Sequence, residues 1–231
     1  MKFIQYLLGL VCTFSLIIIL LITSVEAVTY WNPGFFEKEY NKYQVTETVD
    51  MEMDDLLEVT REMMSYLRGG RDNLNIMTTV AGQQREFFNQ REIDHMYDVR
   101  NLFLAALTIR KVCLALAALS LAALFALKAK VGRILPRAVC GGTVLFFVIL
   151  AALTAIISTD FTKYFIVFHH ILFTNSLWIL DPATDLLINI VPEGFFVDTA
   201  LHIAIVFGTS MLVMFLAGLI CILKQRRDSA K

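Results

Sequence analysis

Residues 102–158 read LFLAALTIRKVCLALAALSLAALFAL, then KAKVGRILPR, then AVCGGTVLFFVILAALTAIIS. Two apolar runs flank a short basic connector, and that pattern decides the fold class. A bilayer core about 30 Å thick is crossed by roughly 20 apolar residues in helical form. Both flanking runs reach that length. Residues 3–25 and 199–223 have the same character. The expected fold is therefore an all-α membrane protein with four transmembrane helices. Composition agrees, because 57% of the 231 residues are hydrophobic, above the ~45–50% of soluble domains.

The connector also sets the orientation. Lys128, Lys130, Arg133 and Arg137 join the second and third spans, Lys224, Arg226, Arg227 and Lys231 follow the fourth, and Lys2 precedes the first. With four spans these basic groups share one side, which the positive-inside rule makes cytoplasmic. Both termini are then cytoplasmic. The expected division is a first helix over 1–28, an extracytoplasmic cap over 29–100, a second helix over 101–127 and a basic loop over 128–137. A third helix over 138–159, an apolar outer segment over 160–198, a fourth helix over 199–223 and a tail over 224–231 complete it. The first span has a second reading as a cleaved signal peptide, since Val25-Glu26-Ala27 resembles a small-residue cleavage site. Its apolar run exceeds the roughly 7–15 residues of a signal core, which favours a retained anchor.

In the first outer segment the spacing of Met53, Leu56, Leu57, Thr60, Met63, Met64 and Leu67 predicts an amphipathic helix over 50–67. Thr48 or Asp50 is its candidate cap, and Gly69-Gly70 its stop. The methionine stripe reads as core packing or as a groove for acyl chains. Residues 74–80 and 85–88 flank Ala81-Gly82-Gln83, which suggests a short hairpin. A helix then starts near Gln90 and continues into the second span. The second outer segment is apolar for a loop, with Phe161, Phe165, Phe168, Phe173, Trp178 and Phe196 among its aromatic residues. It reads as interfacial or re-entrant, broken by Pro182 and Pro192.

Four histidines are present, at positions 95, 169, 170 and 202. Imidazole is the side chain whose ordinary pKa, about 6.5, suits proton transfer near neutrality. Glu92, His95 and Asp98 are spaced so that a carboxylate on the same helix face can orient the imidazole. The alternative is a solvated, charged helix start. His169 lies among apolar residues close to the predicted bilayer, where an ionisable group is a functional candidate. Asn175, Trp178, Asp181 and Asp185 form a polar and aromatic cluster, or merely supply turn chemistry. Arg110 and Lys111 interrupt the second span, to hold a lipid phosphate or to mark the membrane boundary. His202 reads as a packing residue. Cys12, Cys113, Cys140 and Cys221 sit inside apolar runs without metal spacing. A net charge of −1 gives no argument for nucleic acid.

Tyr66-Leu67-Arg68-Gly69, the stretch Arg91-Glu92-Ile93-Asp94-His95-Met96-Tyr97-Asp98-Val99, and Phe168-His169 followed by Phe173, Trp178 and Asp181-Pro182 together resemble the lipoprotein intramolecular transacylase family of Gram-positive bacteria. His170 stands where an acidic residue is expected in relatives, so no role is carried onto it. The resemblance implies a multi-pass enzyme of the bacterial cell membrane with its site facing outside. It implies transfer of the sn-2 acyl chain of a diacylated lipoprotein, in the outer leaflet, to the α-amine of that lipoprotein's N-terminal cysteine. His95 and His169 are then the catalytic pair, with Glu92, Asp98, Asn175, Trp178 and Asp181 in support. Tyr66, Arg110 and Lys111 become candidates for substrate or membrane-lipid contact. No cofactor or metal is implied, and the absence of a Gly-x-Ser-x-Gly elbow agrees with a reaction that needs no protein nucleophile.

Two other classes compete. A metal-dependent membrane hydrolase would use His95, His169, His170 and Asp98 as ligands, although no HExxH pattern is present. A non-enzymatic transport or assembly protein would carry ionisable residues near the bilayer midplane, and the third and fourth spans have essentially none. Oligomeric state is not readable from the residues.

Overall fold

The computed structural model describes residues 2–229. In chain order it contains α1 (Lys2–Thr29), α2 (Phe35–Lys42), α3 (Val45–Val49), α4 (Met53–Leu67), β1 (Met77–Val80), β2 (Gln83–Glu86), α5 (Gln90–Ala126), α6 (Val131–Ile157), α7 (Phe161–Leu172), α8 (Leu186–Ile190) and α9 (Glu193–Ser229). Among the described residues, α1, α5, α6 and α9 are long and apolar enough to cross a membrane. Large side chains along them stay open, with Leu119, Val148, Val213 and Ile220 all more than 60% exposed. Such faces, on helices of this length and composition, suit a lipid surrounding.

The chain forms two compact units. The first comprises residues 1–26, 107–159 and 203–231. Its core is Ile17, Phe207 and Met211, flanked by Phe146, Phe147 and Leu150. Helices approach closely where side chains are small, as membrane helices do. A Cβ on Gly142 would stand 2.8 Å from Thr13 Cγ2, and one on Gly218 would stand 3.0 Å from Cys140 Sγ.

α6 begins at Val131, seven residues before its apolar run, so Arg133 and Arg137 of the expected loop are helical. Pro136 lies inside this helix and cannot donate to the carbonyl four residues back. That carbonyl, on Gly132, accepts a hydrogen bond from Gln225 of α9 instead. α9 likewise starts at Glu193, ahead of residue 199. Helical geometry in both cases outruns the apolar stretch, because polar residues next to a bilayer can continue a helix that the apolar run nucleates.

The second unit comprises residues 27–106 and 160–202. α4 buries Leu56, Val59, Thr60, Met63, Met64 and Leu67, and Thr60 Oγ1 meets the Tyr40 hydroxyl of α2 at 2.7 Å. The expected start at residue 50 is corrected: Asp50 takes a left-handed conformation, φ 51°, that ends α3, and Glu52 precedes α4. Neither Thr48 nor Asp50 caps α4. Its stripe also includes Val59 in place of the half-buried Met53 and Leu57. β1 and β2 pair antiparallel with Val80 opposite Gln83. Ala81 and Gly82 both have positive φ, 51° and 73°, as a two-residue hairpin turn of the primed type demands. The apolar segment after residue 160 is more regular than its loop-like expectation. Asp160 Oδ1 accepts the Lys163 N–H and starts α7. At 12 residues α7 rises about 18 Å, too short to cross a bilayer.

Candidate functional site

The second unit brings His95 of α5 and His169 of α7 together, with ring centroids 6.5 Å apart and planes inclined by 38°. Both are buried. Phe173 stands edge-on to His95 at 5.2 Å, Trp178 stacks on His169 at 4.8 Å, and Phe165 closes on His169 at 4.3 Å. The indole Nε1 of Trp178 and Nδ1 of His95 are buried with no hydrogen-bond partner among the described residues.

The tautomer of His169 follows from its position on α7. Nδ1 lies 2.7 Å from the carbonyl of Phe165, four residues back. A carbonyl only accepts, so Nδ1 carries the hydrogen and Nε2 keeps the lone pair. Burial pushes the His95 pKa down to about 4, helped by the neighbouring His169 and Arg91 and opposed by Asp98. Burial also lowers His169, with His170 adding to it and the Phe165 hydrogen bond opposing it. Both rings are therefore neutral at neutral pH. One can accept a proton while the other donates a hydrogen bond.

Glu92 does not orient His95. Its Oε2 accepts the Asn89 N–H at 2.7 Å while Asn89 Oδ1 accepts the Glu92 N–H at 3.1 Å, a capping box that starts α5. Its Oε1 accepts the Leu187 N–H at 2.6 Å and so caps α8 as well. Burial raises the Glu92 pKa, and these backbone hydrogen bonds oppose the rise. Asp185, which immediately precedes α8, reciprocates. Its Oδ1 accepts from Asn89 Nδ2 at 2.7 Å and from Thr184 Oγ1, and its Oδ2 accepts the Asp181 N–H at 2.7 Å. Burial would raise Asp185, but those hydrogen bonds outweigh it and hold the carboxyl below its ordinary value.

The other expected residues divide. Asn175 Nδ2 donates to Asp98 Oδ2 at 2.8 Å, and the Arg91 guanidinium donates to the Ser176 carbonyl at 2.6 Å, so both ties lie at the loop that carries Trp178. Asp181 is exposed and accepts the Ala183 N–H at 2.9 Å, which is turn chemistry. Tyr66 is buried at 3% exposure beneath the Arg100 guanidinium, 4.6 Å from the ring. In the first unit Arg110 pairs with the buried Glu26 rather than standing free for a phosphate, while Lys111 is exposed. His202 packs on Phe35 at 5.8 Å. His170 is exposed, and among the described residues no three His, Cys, Asp or Glu side chains are placed to share a metal ion. Two surface depressions, of about 550 and 330 Å³, are lined by other residues and touch neither His95 nor His169.

Comparison with known proteins completes this picture. The family model for the lipoprotein intramolecular transacylase Lit matches residues 10–196. The chain belongs to the Lit family. It is an acyltransferase, and its four apolar helices place it in a membrane. No curated protein matches the sequence. The solved structure of the membrane integral Lit from Bacillus cereus superposes with a TM-score of 0.81 at 21% identity, covering 98% of this chain and 100% of that one. Two structures of that protein with one histidine exchanged, for arginine or for alanine, superpose with a TM-score of 0.76 at 20% identity. They cover 98% of this chain and 96% and 97% of theirs. At that identity the likeness shows a shared Lit fold.

Asn89 and Asp185 were missed as partners. Asn89 was legible as a helix cap three residues before Glu92. Asp185 stands in the expected polar and aromatic cluster, but its partner, 96 positions away, leaves no local signal.

Proposed function

We propose that the chain moves the sn-2 acyl chain of a diacylated lipoprotein to the α-amine of the same lipoprotein's N-terminal cysteine. The observation that carries this reading is the buried, neutral pair His95 and His169 beside an aromatic wall. Donor and acceptor belong to one molecule, so the enzyme has mainly to hold them in attack geometry. The free amine nitrogen bonds to the ester carbonyl carbon. The nitrogen's proton passes to Nε2 of His169. The ester C–O bond then breaks, and the glyceryl oxygen leaves as an alcohol by taking that proton back from the His169 imidazolium, while His95 donates a hydrogen bond to the oxyanion. Ester and amine become amide and alcohol, with no net proton change.

An imidazole with a lowered pKa is a poor base toward an ammonium of pKa about 8. It is a competent base toward the much more acidic N–H of the tetrahedral adduct. The amine therefore enters uncharged, and a buried site that disfavours positive charge selects that form. The Trp178 indole N–H stands beside His169 as a donor for the oxyanion, and Asn175 with Asp98 steadies its loop. In this reading both termini are cytoplasmic, residues 29–100 form an outer cap, and the site faces outside. Lys111 contacts lipid headgroups.

The test is expression of the full chain in a host that makes diacylated lipoproteins, followed by mass spectrometry of one N-terminal lipopeptide. His95→Gln and His169→Gln are expected to abolish the N-acylated lyso-form. Normal product from both variants removes the mechanism.

A further inference from the structure

We infer that Asn89, Glu92 and Asp185 are positioning residues for acyl transfer, a reciprocal clamp between the starts of α5 and α8 that sets the Trp178 loop, and through it His169, against His95. The inference rests on the activity proposed above.

The loop over 173–185 carries two of the groups that touch the imidazoles, Phe173 and Trp178. Four ties hold this stretch and the start of α8 to α5, besides a longer donation from Asn89 Nδ2 to the Thr184 carbonyl at 3.5 Å. Two of them, Asn175 to Asp98 and Arg91 to the Ser176 carbonyl, are exposed, and water competes for both. The other two are sheltered: Asn89 to Asp185, and the Leu187 N–H to Glu92. Glu92 is 1% exposed and Asp185 4% exposed. Hydrogen bonds to ionised carboxylates in such surroundings are short and strong.

The arrangement is crossed. Each helix start is served by a residue of the other, since Glu92 of α5 accepts the Leu187 N–H of α8 and Asp185 before α8 accepts from Asn89 before α5. Glu92 lies three residues, less than one turn, from His95. Asp185 in turn holds Asp181 by its backbone N–H, three residues after Trp178. A shift at the Asn89–Asp185 bond is thus passed to His95 on one side and to the indole that stacks on His169 on the other. Displacement of about 1 Å between reacting groups can cost on the order of a hundredfold in rate. None of the three residues contacts either imidazole by hydrogen bond, which makes them positioning rather than catalytic residues.

The informative variant is Asn89→Ser. A serine remains a good helix cap and can still accept the Glu92 N–H, but it is too short to bond Asp185. The second is the exchange Asn89→Asp with Asp185→Asn, which reverses the donor and acceptor across the same bond without changing the net charge. Full-length protein in non-ionic detergent is given a synthetic diacylated lipopeptide, and product is read by mass spectrometry. Parallel emission spectra are taken in a Trp31→Phe background, which leaves Trp178 as the single tryptophan of the two in the chain.

Asn89→Ser is expected to lose about tenfold in kcat with KM within twofold, and to shift the Trp178 emission. Asn89→Asp alone sets two carboxylates against one another and is expected to be slower still. The exchange is expected to return kcat to within about threefold of the parent, together with the parent emission. Three results overturn the clamp: a parent-like kcat in Asn89→Ser, a loss confined to KM, or an exchange variant as slow as Asn89→Asp. A parent protein that makes no lyso-form product refutes the activity instead, while the emission spectra still report whether the bond seats Trp178.

Discussion

Acidifying the protein from pH 7.0 to 4.5 should destabilise it through His95. The imidazole is buried at 7% exposure and its pKa is pushed down to about 4, against 6.5 in an exposed histidine. The native fold therefore holds it neutral, while the unfolded chain takes up a proton below pH 6.5. Between those two values the unfolded state binds more protons, so stability is complete above pH 6.5 and falls as the pH drops toward 4. A difference of one pH unit between the folded and unfolded pKa is worth about 1.4 kcal/mol. The full loss is therefore about 3 kcal/mol, of which about 2 kcal/mol is reached by pH 4.5. His169 moves in the same direction and adds to it. The assay is thermal unfolding in a non-ionic detergent at the two pH values for the parent and His95→Gln. Gln carries no titrating group, so that variant should lose less on acidification by about 2 kcal/mol. Equal changes in the two proteins would refute the assignment of a buried neutral imidazole.

Two further outcomes follow from the same physics. Because both imidazoles stay neutral through the physiological range, kcat/KM should rise about tenfold per pH unit up to the α-amine pKa near 7.7–8.0 and then level. A separate inflexion between pH 6 and 7 would mean that a histidine of ordinary pKa governs the rate. In the first unit, Gly142→Ala places a methyl 2.8 Å from the buried Thr13, whereas a methyl on Gly141 meets nothing within 4 Å. Gly142→Ala should cost about 1–3 kcal/mol by overpacking and Gly141→Ala should not, read as melting midpoints in detergent; matched midpoints would show that α1 does not press on α6 at that glycine.

The proposed reaction, which acylates an amine by way of two neutral imidazoles, places particular demands on the surroundings. The aromatic residues Phe165, Phe173 and Trp178 exclude water from the pair and thereby lower its basicity. A weaker base is less able to capture the substrate's ammonium form, yet it is sufficient once attack has made the N–H acidic. The lone pair of His169 points away from α7 because its other nitrogen is spent on the Phe165 carbonyl. In the proposed reaction, position on a helix thus selects which histidine accepts the proton.

The residues alone determined the number of apolar helices and the presence of a basic connector, because transfer of side chains into lipid depends on composition over about 20 residues and hardly on neighbours. They also made His95 and His169 separate candidates, and the family resemblance joined the two as a pair. Tertiary structure decided what those motifs do. Glu92 and Asp98 had the spacing to orient His95, but Glu92 spends both oxygens on backbone N–H groups and Asp98 binds Asn175. Arg110 suited a lipid phosphate by position, but the structure gives it Glu26, 84 residues away. A buried charge or N–H takes whichever partner the chain path brings within about 3 Å, and spacing along a helix carries no information about a partner on another element. That is why the Asn89–Asp185 bond, between residues 96 apart, became visible only in the fold.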